Sequence, residues 1–364
     1  LSCLYEGPQL PMDKALEVEA KYFTLLQLDP VSRNMIRTLF INKGKADKLM
    51  HRPEGVPKTT FRKIGVVGAG LMGAGIAYHC AKLGIETVLI DRDQAAADKG
   101  KAYSAKRLEK DIAKGRMTQD KADAILARIH PTTEYAGLAD VELVVEAVFE
   151  DRGLKAEITR KLDAVLPPHA VIASNTSGLP ISELAEAGAH PENFIGMHFF
   201  SPVERMPLVE VIRGRKTSPA TLARALDLVQ AMKKTPIVVN DGPGFFTSRF
   251  IGAYINESLA MVTEGVNPAL IENAAKMAGI PVGPLTVSDE IGLDTAYHAS
   301  QQRKKDEGEA FKPTPTFKLV EKLVGELGRH GRKNGKGFFE YAADGSKKLW
   351  SGLAELFPPL AEQP

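Results

Sequence analysis

Three side chains that could move a proton lie in one part of the chain: Ser177, His198 and Glu210. A histidine can accept a hydroxyl proton near neutral pH, and a carboxylate can hold its second nitrogen and stabilise the imidazolium. A serine can hydrogen-bond the substrate oxygen. Each residue follows or lies in an apolar run typical of a β-strand. Together they could form a general-base site.

Each of these residues also has a structural interpretation. His198 lies between Met197 and Phe199, a setting typical of a histidine in a protein core. Glu210 lies in an apolar run, where a carboxylate either needs a partner or faces solvent from an edge strand. Ser177 could be a turn or capping serine. Spacing alone leaves the catalytic and structural interpretations open.

A glycine-rich sequence, Gly68-Ala69-Gly70-Leu71-Met72-Gly73, lies between a strand-like run and a helix-like one. Gly68 permits a tight turn, Gly70 lets the backbone approach a pyrophosphate, and Gly73 lets the helix pack closely on the strand. The N–H groups at the helix start, at Leu71 and Met72, then face the phosphates. We predict a dinucleotide site here. The alternatives are a glycine turn without a nucleotide, or FAD, which shares the fingerprint.

An acidic residue at the end of the second strand distinguishes between nicotinamide cofactors. Asp91 ends an apolar run and lies 21 residues after Gly70. Its carboxylate would accept hydrogen bonds from the adenosine ribose hydroxyls and repel a 2′-phosphate. NAD is therefore favoured over NADP, although the adjacent Arg92 could weaken that preference.

Short β-rich runs alternate with helical segments from Phe61 onwards, and this alternation must position the polar residues. The runs are 63–67, 87–90, 143–147, 171–173, 194–197 and 237–239. Such alternation predicts crossover connections and an α/β, doubly wound (Rossmann-type), mostly parallel sheet. Ligands bind at the carboxyl ends of the strands in such sheets. The segments that carry Ser177 and His198 follow strand-like runs and fall at this edge.

Four regions are predicted along the chain. A helical connector and linker covers 1–58, and a Rossmann-type NAD-binding domain covers 59–243. An all-α domain, interrupted by glycines and prolines at 279–284, covers 244–345. Residues 346–364 read as a tail towards a second helical repeat.

Composition excludes several classes of partner. The 47 basic and 45 acidic residues leave a net charge of +2, which does not favour nucleic acid as a partner. No uncharged apolar run reaches the roughly 18 residues of a membrane span. The two cysteines indicate no disulfide framework and a reducing compartment, and no metal site is predicted. The start of the chain does not resemble a secretory signal, and the absence of an initiator Met predicts an excised fragment or a processed chain.

Taken in order, the motifs resemble those of the L-3-hydroxyacyl-CoA dehydrogenase family. They lie at 68–73, 144–150, 174–177, 198–203, 208–212, 242–245, 283–284, 289–294 and 331–338. The resemblance implies that His198 is the catalytic base and Glu210 its paired carboxylate. Ser177 matches a serine near the substrate hydroxyl and the nicotinamide. Ser248 stands where the family usually has Asn, and its shorter side chain would position the substrate oxygens together with Ser177.

The resemblance also implies further contacts. Glu150, Lys155 and Lys333 match positions that contact NAD, and Ser201 stands where the family often has an NAD-contacting Asn. Ser104 is a looser match to a serine that contacts CoA.

The implied reaction is NAD-dependent oxidation of L-3-hydroxyacyl-CoA to 3-ketoacyl-CoA in fatty-acid β-oxidation. Residues 15–20 and 31–34 resemble the connector that follows the enoyl-CoA hydratase domain in multifunctional proteins of the α-subunit type. This implies an acyl-CoA substrate and either a homodimer or an assembly with a thiolase subunit. It also implies a bacterial cytoplasmic location, or the mitochondrial matrix or peroxisome in a eukaryote. The alternatives are a β-hydroxyacid dehydrogenase for a small free acid and a non-catalytic NAD-binding scaffold domain.

Overall fold

The computed structural model describes residues 1–363, with the side chains of all of these except 299, 302, 303, 306 and 307. The chain forms two compact units, residues 1–246 and residues from 247 onwards. The first contains the large sheet and the second is mainly helical.

The first unit begins with helices, as predicted for the connector. They are α1 (Ser2–Glu6), α2 (Met12–Leu28), α3 (Pro30–Ile36) and α4 (Lys43–Asp47), with a 3₁₀-helix at Gly7–Gln9 and a π-helix at Arg37–Asn42. Pro30 begins α3, where its missing N–H costs nothing, and the Asp29 side chain caps that helix. Many large apolar side chains of this connector are exposed, among them Phe23, Leu26 and Phe40.

An eight-stranded sheet forms the centre of the first unit. Its strands are β1 (Lys63–Val67), β2 (Glu86–Ile90), β3 (Ile129–Thr132), β4 (Leu143–Glu146), β5 (Val171–Ser174), β6 (Phe194–Phe199), β7 (Leu208–Arg213) and β8 (Thr235–Asn240). They lie in the order β3-β2-β1-β4-β5-β6-β7-β8. Strands β1 to β6 pair in parallel, whereas β7 pairs antiparallel with β6 and parallel with β8. The predicted mostly parallel, doubly wound sheet is confirmed.

Helices cover the sheet and bury its apolar strands. They are α5 (Leu71–Lys82), α6 (Gln94–Ala113), α7 (Gln119–Leu126), α8 (Arg152–Asp163), α9 (Ile181–Ala185) and α10 (Pro219–Ala231), with 3₁₀-helices at Tyr135–Leu138 and Pro191–Asn193. All residues of β4, β5 and β6 are buried, as expected for strands covered on both faces. The core lies in two clusters, one that includes Ile76 and Met197 and another that includes Val67 and Ile172.

Two features of the sheet differ from expectation. Strand β3 was not predicted, because its four residues include Pro131, which cannot donate a ladder hydrogen bond. It is tolerated because β3 is the edge strand. The edge-strand interpretation of Glu210 is wrong, since β7 lies between β6 and β8 and Glu210 is fully buried.

The second unit is built from helices, with an interruption at 279–283 before Pro284 as predicted. They are α11 (Thr247–Thr263), α12 (Pro268–Met277), α13 (Pro284–Ile291), α14 (Leu293–Glu307), α15 (Pro315–Glu321) and α16 (Gly352–Leu356), with a π-helix at Lys322–Glu326 and 3₁₀-helices at Gly308–Ala310 and Arg332–Asn334. A short antiparallel hairpin, β9 (Phe339–Tyr341) and β10 (Lys347–Leu349), was not predicted. Leu353 is buried in this unit's core, so residues expected to form a tail pack within it.

Across residues 1–363, no helix combines the length and apolar character needed to cross a bilayer. In the same part of the chain, no group of three or more His, Cys, Asp or Glu side chains could hold a metal ion.

Candidate functional site

The glycine loop joins β1 to α5 in a conformation that two of its glycines make possible. Gly68 has φ +98°, and a Cβ there would lie 2.5 Å from the Ala147 carbonyl oxygen. A Cβ at Gly73 would lie 1.7 Å from the Gly68 carbonyl oxygen. These contacts are far below van der Waals separation. A side chain at Gly68 is therefore excluded by the backbone that follows β4, and one at Gly73 is excluded by the close packing of α5 on the loop and β1.

Gly70 has a different environment. A Cβ at this position would meet nothing within 4 Å, so the protein leaves the space beside the loop open. Gly70 is also the N-cap of α5 and provides no side-chain cap. The first hydrogen bond within the helix is donated by Ala74 to the Gly70 carbonyl at 2.9 Å. The amides of Leu71 and Met72, in the first turn, therefore suit a phosphate group.

Asp91 links the end of β2 to the glycine loop. One carboxylate oxygen accepts a hydrogen bond from Ala69 N–H at 2.6 Å, and the other accepts one from Arg92 N–H at 2.7 Å. Each oxygen keeps a further lone pair for a ribose hydroxyl. The Arg92 side chain is exposed and pairs with Asp93 at 3.1 Å. Asp91 thus both fixes the loop and presents a negative charge beside it.

A buried polar network lies at the carboxyl ends of β4 and β5. Glu146 and Lys155 are each only 2% exposed, and Lys155 Nζ lies 2.8 Å from Glu146 Oε1. Ser174 Oγ donates to Glu146 Oε2 at 2.7 Å, and Val148 N–H donates to Oε1 at 2.8 Å. Because the buried charges of Glu146 and Lys155 compensate each other, the network can hold the ends of β4 and β5 together.

Glu150 extends this network to Ser177. Lys155 Nζ lies 3.4 Å from Glu150 Oε2. Oε1 of Glu150 accepts a hydrogen bond from Thr176 Oγ1 at 2.5 Å and one from Ser177 N–H at 3.1 Å, and Ser177 Oγ lies 3.5 Å away. Ser177 is exposed, so its hydroxyl is both oriented and accessible.

His198 and Glu210 lie directly opposite each other on β6 and β7. His198 Nδ1 is 2.9 Å from Glu210 Oε2, and we call these two residues the His198–Glu210 pair. The carboxylate acceptor places the proton on Nδ1 and leaves Nε2 as the nitrogen that can accept a proton. Asn175 Oδ1 accepts a hydrogen bond from Phe199 N–H at 2.9 Å, which joins the loop after β5 to the strand that carries His198.

The remaining predicted site residues have varied environments, and their roles stay predictions. Ser201 is exposed in the turn after β6, next to the cis bond to Pro202. Ser104 is fully buried on α6, and its hydroxyl has no hydrogen-bond partner among residues 1–363. A contact between Ser104 and CoA would therefore require that the side chain become exposed. In the second unit, Ser248 lies in the first turn of α11, and Lys333 pairs with Asp294.

Sequence reasoning assigned no role to Glu146, Ser174, Thr176 or Asn175. The available signal was a glutamate inside the apolar run 143–147, because a buried carboxylate requires a cationic or hydrogen-bonding partner. That partner, Lys155, was predicted only as an NAD contact. In the structure the Lys155 ammonium group is buried between Glu146 and Glu150, and its contact with NAD stays a prediction.

Comparison with known families identifies both units. Residues 63–242 match the family model described as the NAD binding domain of 3-hydroxyacyl-CoA dehydrogenase. Residues 244–341 match the model of the C-terminal domain of the same enzyme.

Individual relatives support the same family assignment. The fatty acid oxidation complex subunit alpha of Shewanella baltica (strain OS155) is 40% identical over 348 residues, which cover 95% of this chain and 48% of that protein. The chain thus spans about half the length of the curated relatives it matches. The crystal structure of (S)-3-hydroxybutyryl-CoA dehydrogenase from Ralstonia eutropha is similar with a TM-score of 0.70 and 37% identity, covering 78% of this chain and 100% of that one. The dehydrogenase part of multifunctional enzyme 1 from C. elegans is similar with a TM-score of 0.60 and 25% identity, over 87% and 75% of the two chains. This chain belongs to the 3-hydroxyacyl-CoA dehydrogenase family.

Proposed function

We propose that this chain oxidises L-3-hydroxyacyl-CoA to 3-ketoacyl-CoA with NAD, with His198 as the general base. The observation that carries the proposal is the 2.9 Å contact between His198 Nδ1 and Glu210 Oε2. It lies near the carboxyl end of β6, in the part of the chain that matches an NAD-binding family model. The same edge of the sheet holds the glycine loop and Ser177.

The residues of the first unit fit NAD. The open space at Gly70 and the uncapped start of α5 suit the pyrophosphate, and Asp91 suits the ribose hydroxyls. Bound NAD supplies the hydride acceptor for the reaction. Glu150 and Lys155 would then act mainly by orienting the loop that carries Ser177.

The proton follows a path through His198. Nε2 takes the proton from the C3 hydroxyl of the substrate, while Glu210 holds Nδ1 and stabilises the imidazolium that forms. Glu150 holds the backbone N–H of Ser177 at 3.1 Å. The Ser177 hydroxyl, which has one proton, then turns away from Glu150 to donate a hydrogen bond to the substrate oxygen at C3. We propose that Ser248 contacts the thioester end of the substrate, as the family resemblance implies. In the reverse direction, protonated His198 returns the proton to the ketone oxygen.

Consumption of NADH tests this proposal. The chain is mixed with NADH and acetoacetyl-CoA, and in a parallel reaction with NADH and free acetoacetate. We expect rapid loss of NADH absorbance with the thioester and little with the free acid. Equal or greater activity on the free acid would favour the β-hydroxyacid alternative, whose enzymes use a lysine base in the helical domain. No activity on either substrate would favour a non-catalytic domain.

We also propose that residues 1–58 serve as a connector within a longer protein that acts on acyl-CoA in fatty-acid β-oxidation. The match to the curated relatives covers 95% of the chain, whereas the two family models cover only residues 63–341. The similarity therefore includes part of the connector, whose apolar side chains are widely exposed. Those relatives are named as subunits of a fatty acid oxidation complex.

The same comparison supports proposals about the partners and the location of the whole protein. We infer either a homodimer or an assembly with a thiolase subunit. We infer a cytoplasmic location, because the relatives are bacterial. Co-purification of the full-length protein, followed by light scattering, distinguishes a homodimer from a hetero-oligomer.

A further inference from the structure

The exit segment, residues 241–246, is the last part of the first unit before the chain enters the second unit. Both carboxylate oxygens of Asp241 accept hydrogen bonds from the first two N–H groups of α9, each at 2.8 Å. Gly244 N–H donates to the Gly178 carbonyl at 3.1 Å. The exit segment is therefore fixed to the loop and helix that follow β5.

Phe245 has a backbone conformation that few bulky residues adopt. Its φ is +46°, in the left-handed region, and its side chain is buried with the ring centroid 6.4 Å from that of His198. Such conformations persist only where the surrounding structure imposes them, and they occur often at functional sites. Here the turn directs the next amide inward, so that Phe246 N–H donates to Glu210 Oε1 at 2.8 Å.

Glu210 thus joins the catalytic histidine to the exit segment. Its carboxylate is fully buried in an interior strand, where hydrogen bonds must replace water. Oε2 contacts His198 Nδ1, whereas Oε1 contacts the Phe246 amide. Contacts to both oxygens restrict rotation about the Cγ–Cδ bond, so the exit segment helps to set the plane of the carboxylate that faces His198.

We propose that the backbone N–H of Phe246 is a positioning group for the His198–Glu210 pair. By holding Oε1, it keeps Oε2 in line with Nδ1 and so keeps Nε2 directed at the substrate hydroxyl. The inference rests on the proposed function, because it matters for turnover only if His198 is the base.

Replacement of one amide by an ester tests this role without changing a side chain. Incorporation of 3-phenyllactate at position 246 exchanges the N–H for an oxygen and keeps the phenyl ring. We expect kcat for acetoacetyl-CoA reduction to fall about tenfold, the usual effect of losing one hydrogen bond to a charged group. We expect KM and the affinity for NADH to stay within about twofold, because the amide contacts neither ligand in this proposal.

Phe338 provides a matched control. Its N–H also donates to a buried carboxylate at 2.8 Å, that of Asp289 in the second unit. The same ester at position 338 should lower thermal stability but leave kcat within about twofold of the wild-type value. A tenfold loss of kcat in this control would overturn the proposal, because loss of any buried amide–carboxylate bond would then suffice.

A double-mutant cycle shows whether the amide acts through Glu210. In a Glu210→Ala background the ester at 246 should change kcat by less than about twofold, because no carboxylate remains to be positioned. A full tenfold effect in that background would overturn the inference.

If His198→Gln is inactive but the 246 ester has wild-type kcat, the inference fails and the proposed function stands. If His198→Gln is fully active, the proposed function itself fails.

Discussion

His198 and Glu210 are hydrogen-bonded because β6 and β7 run antiparallel and place the two residues directly opposite each other. Residues that face each other across an antiparallel pair lie on the same face of the sheet. A shift of one residue in β7 would turn Glu210 to the other face and leave its carboxylate among apolar side chains. The register of β6 with β7 is therefore a condition for the proposed chemistry.

Asp91 should contribute both to loop stability and to NAD affinity. Asp91→Ala removes the acceptor for Ala69 N–H and the proposed ribose contact, so we expect NADH affinity to fall roughly tenfold or more. Asp93→Ala is the control. Asp93 caps α6 through Ala96 N–H at 2.8 Å, so its replacement should lower stability slightly without weakening NADH binding. Fluorescence titration gives the NADH affinity of each variant. Equal affinities for the two variants would contradict the role of Asp91.

Gly70 and Gly73 should respond differently to the same added methyl group. Gly73→Ala places Cβ 1.7 Å from the Gly68 carbonyl oxygen, so we expect loss of folded protein. Gly70→Ala meets no protein atom within 4 Å, so we expect a stable fold with NADH affinity roughly tenfold weaker. Thermal melts and NADH titrations of the two variants check this contrast. Unchanged NADH affinity in Gly70→Ala would place the pyrophosphate elsewhere.

Lys155 should be far more important for stability than an exposed lysine of the same helix. Lys155→Met leaves the buried Glu146 carboxylate uncompensated, which should cost about 3–5 kcal/mol. Lys161→Met removes an exposed pair with Glu157 and should leave the stability almost unchanged. Urea denaturation gives both values, and Glu146→Gln added to Lys155→Met should restore part of the loss. Similar stabilities for the two single variants would show that the buried pair is not required.

The glycine loop with Asp91 predicted the cofactor class correctly, and the alternation of strand-like and helical runs predicted the sheet correctly, because both are local patterns. The direction of β7 was not predicted, although only eight residues separate Phe199 from Leu208. A parallel connection needs a dozen or more residues, so this spacing already favours an antiparallel pair.

Contacts that depend on the folded backbone were beyond sequence reasoning. The Phe246 amide reaches Glu210 because Phe245 adopts a positive φ, and no side-chain pattern encodes that turn. The carboxylate of Asp289 holds the start of the β9–β10 hairpin, because it accepts hydrogen bonds from two amides about 50 residues further along. Such long-range hydrogen bonds leave no periodic signal in the sequence.

His79 should make the first unit less stable in acid. Burial lowers its pKa, and the nearby Lys234 and Lys82 lower it further, against the opposing effects of the Met232 carbonyl and Glu204. The unfolded chain therefore binds the proton first, and stability is lost as pH falls below about 6.5. His79→Gln should reduce this loss, by at most about 1.4 kcal/mol for each pH unit. Urea denaturation at about pH 7 and about pH 5 compares the stability of the wild type with that of His79→Gln. An identical loss of stability in the two proteins would count against this account.

Turnover of His198→Gln tests the central claim most directly. Glutamine keeps a polar side chain of similar size but cannot take a proton, and general-base catalysis is typically worth roughly 10²–10⁴-fold. The rate of NADH consumption with acetoacetyl-CoA should fall by at least about two orders of magnitude, while NADH binds with nearly unchanged affinity. Turnover close to that of the wild type would show that His198 is not the base.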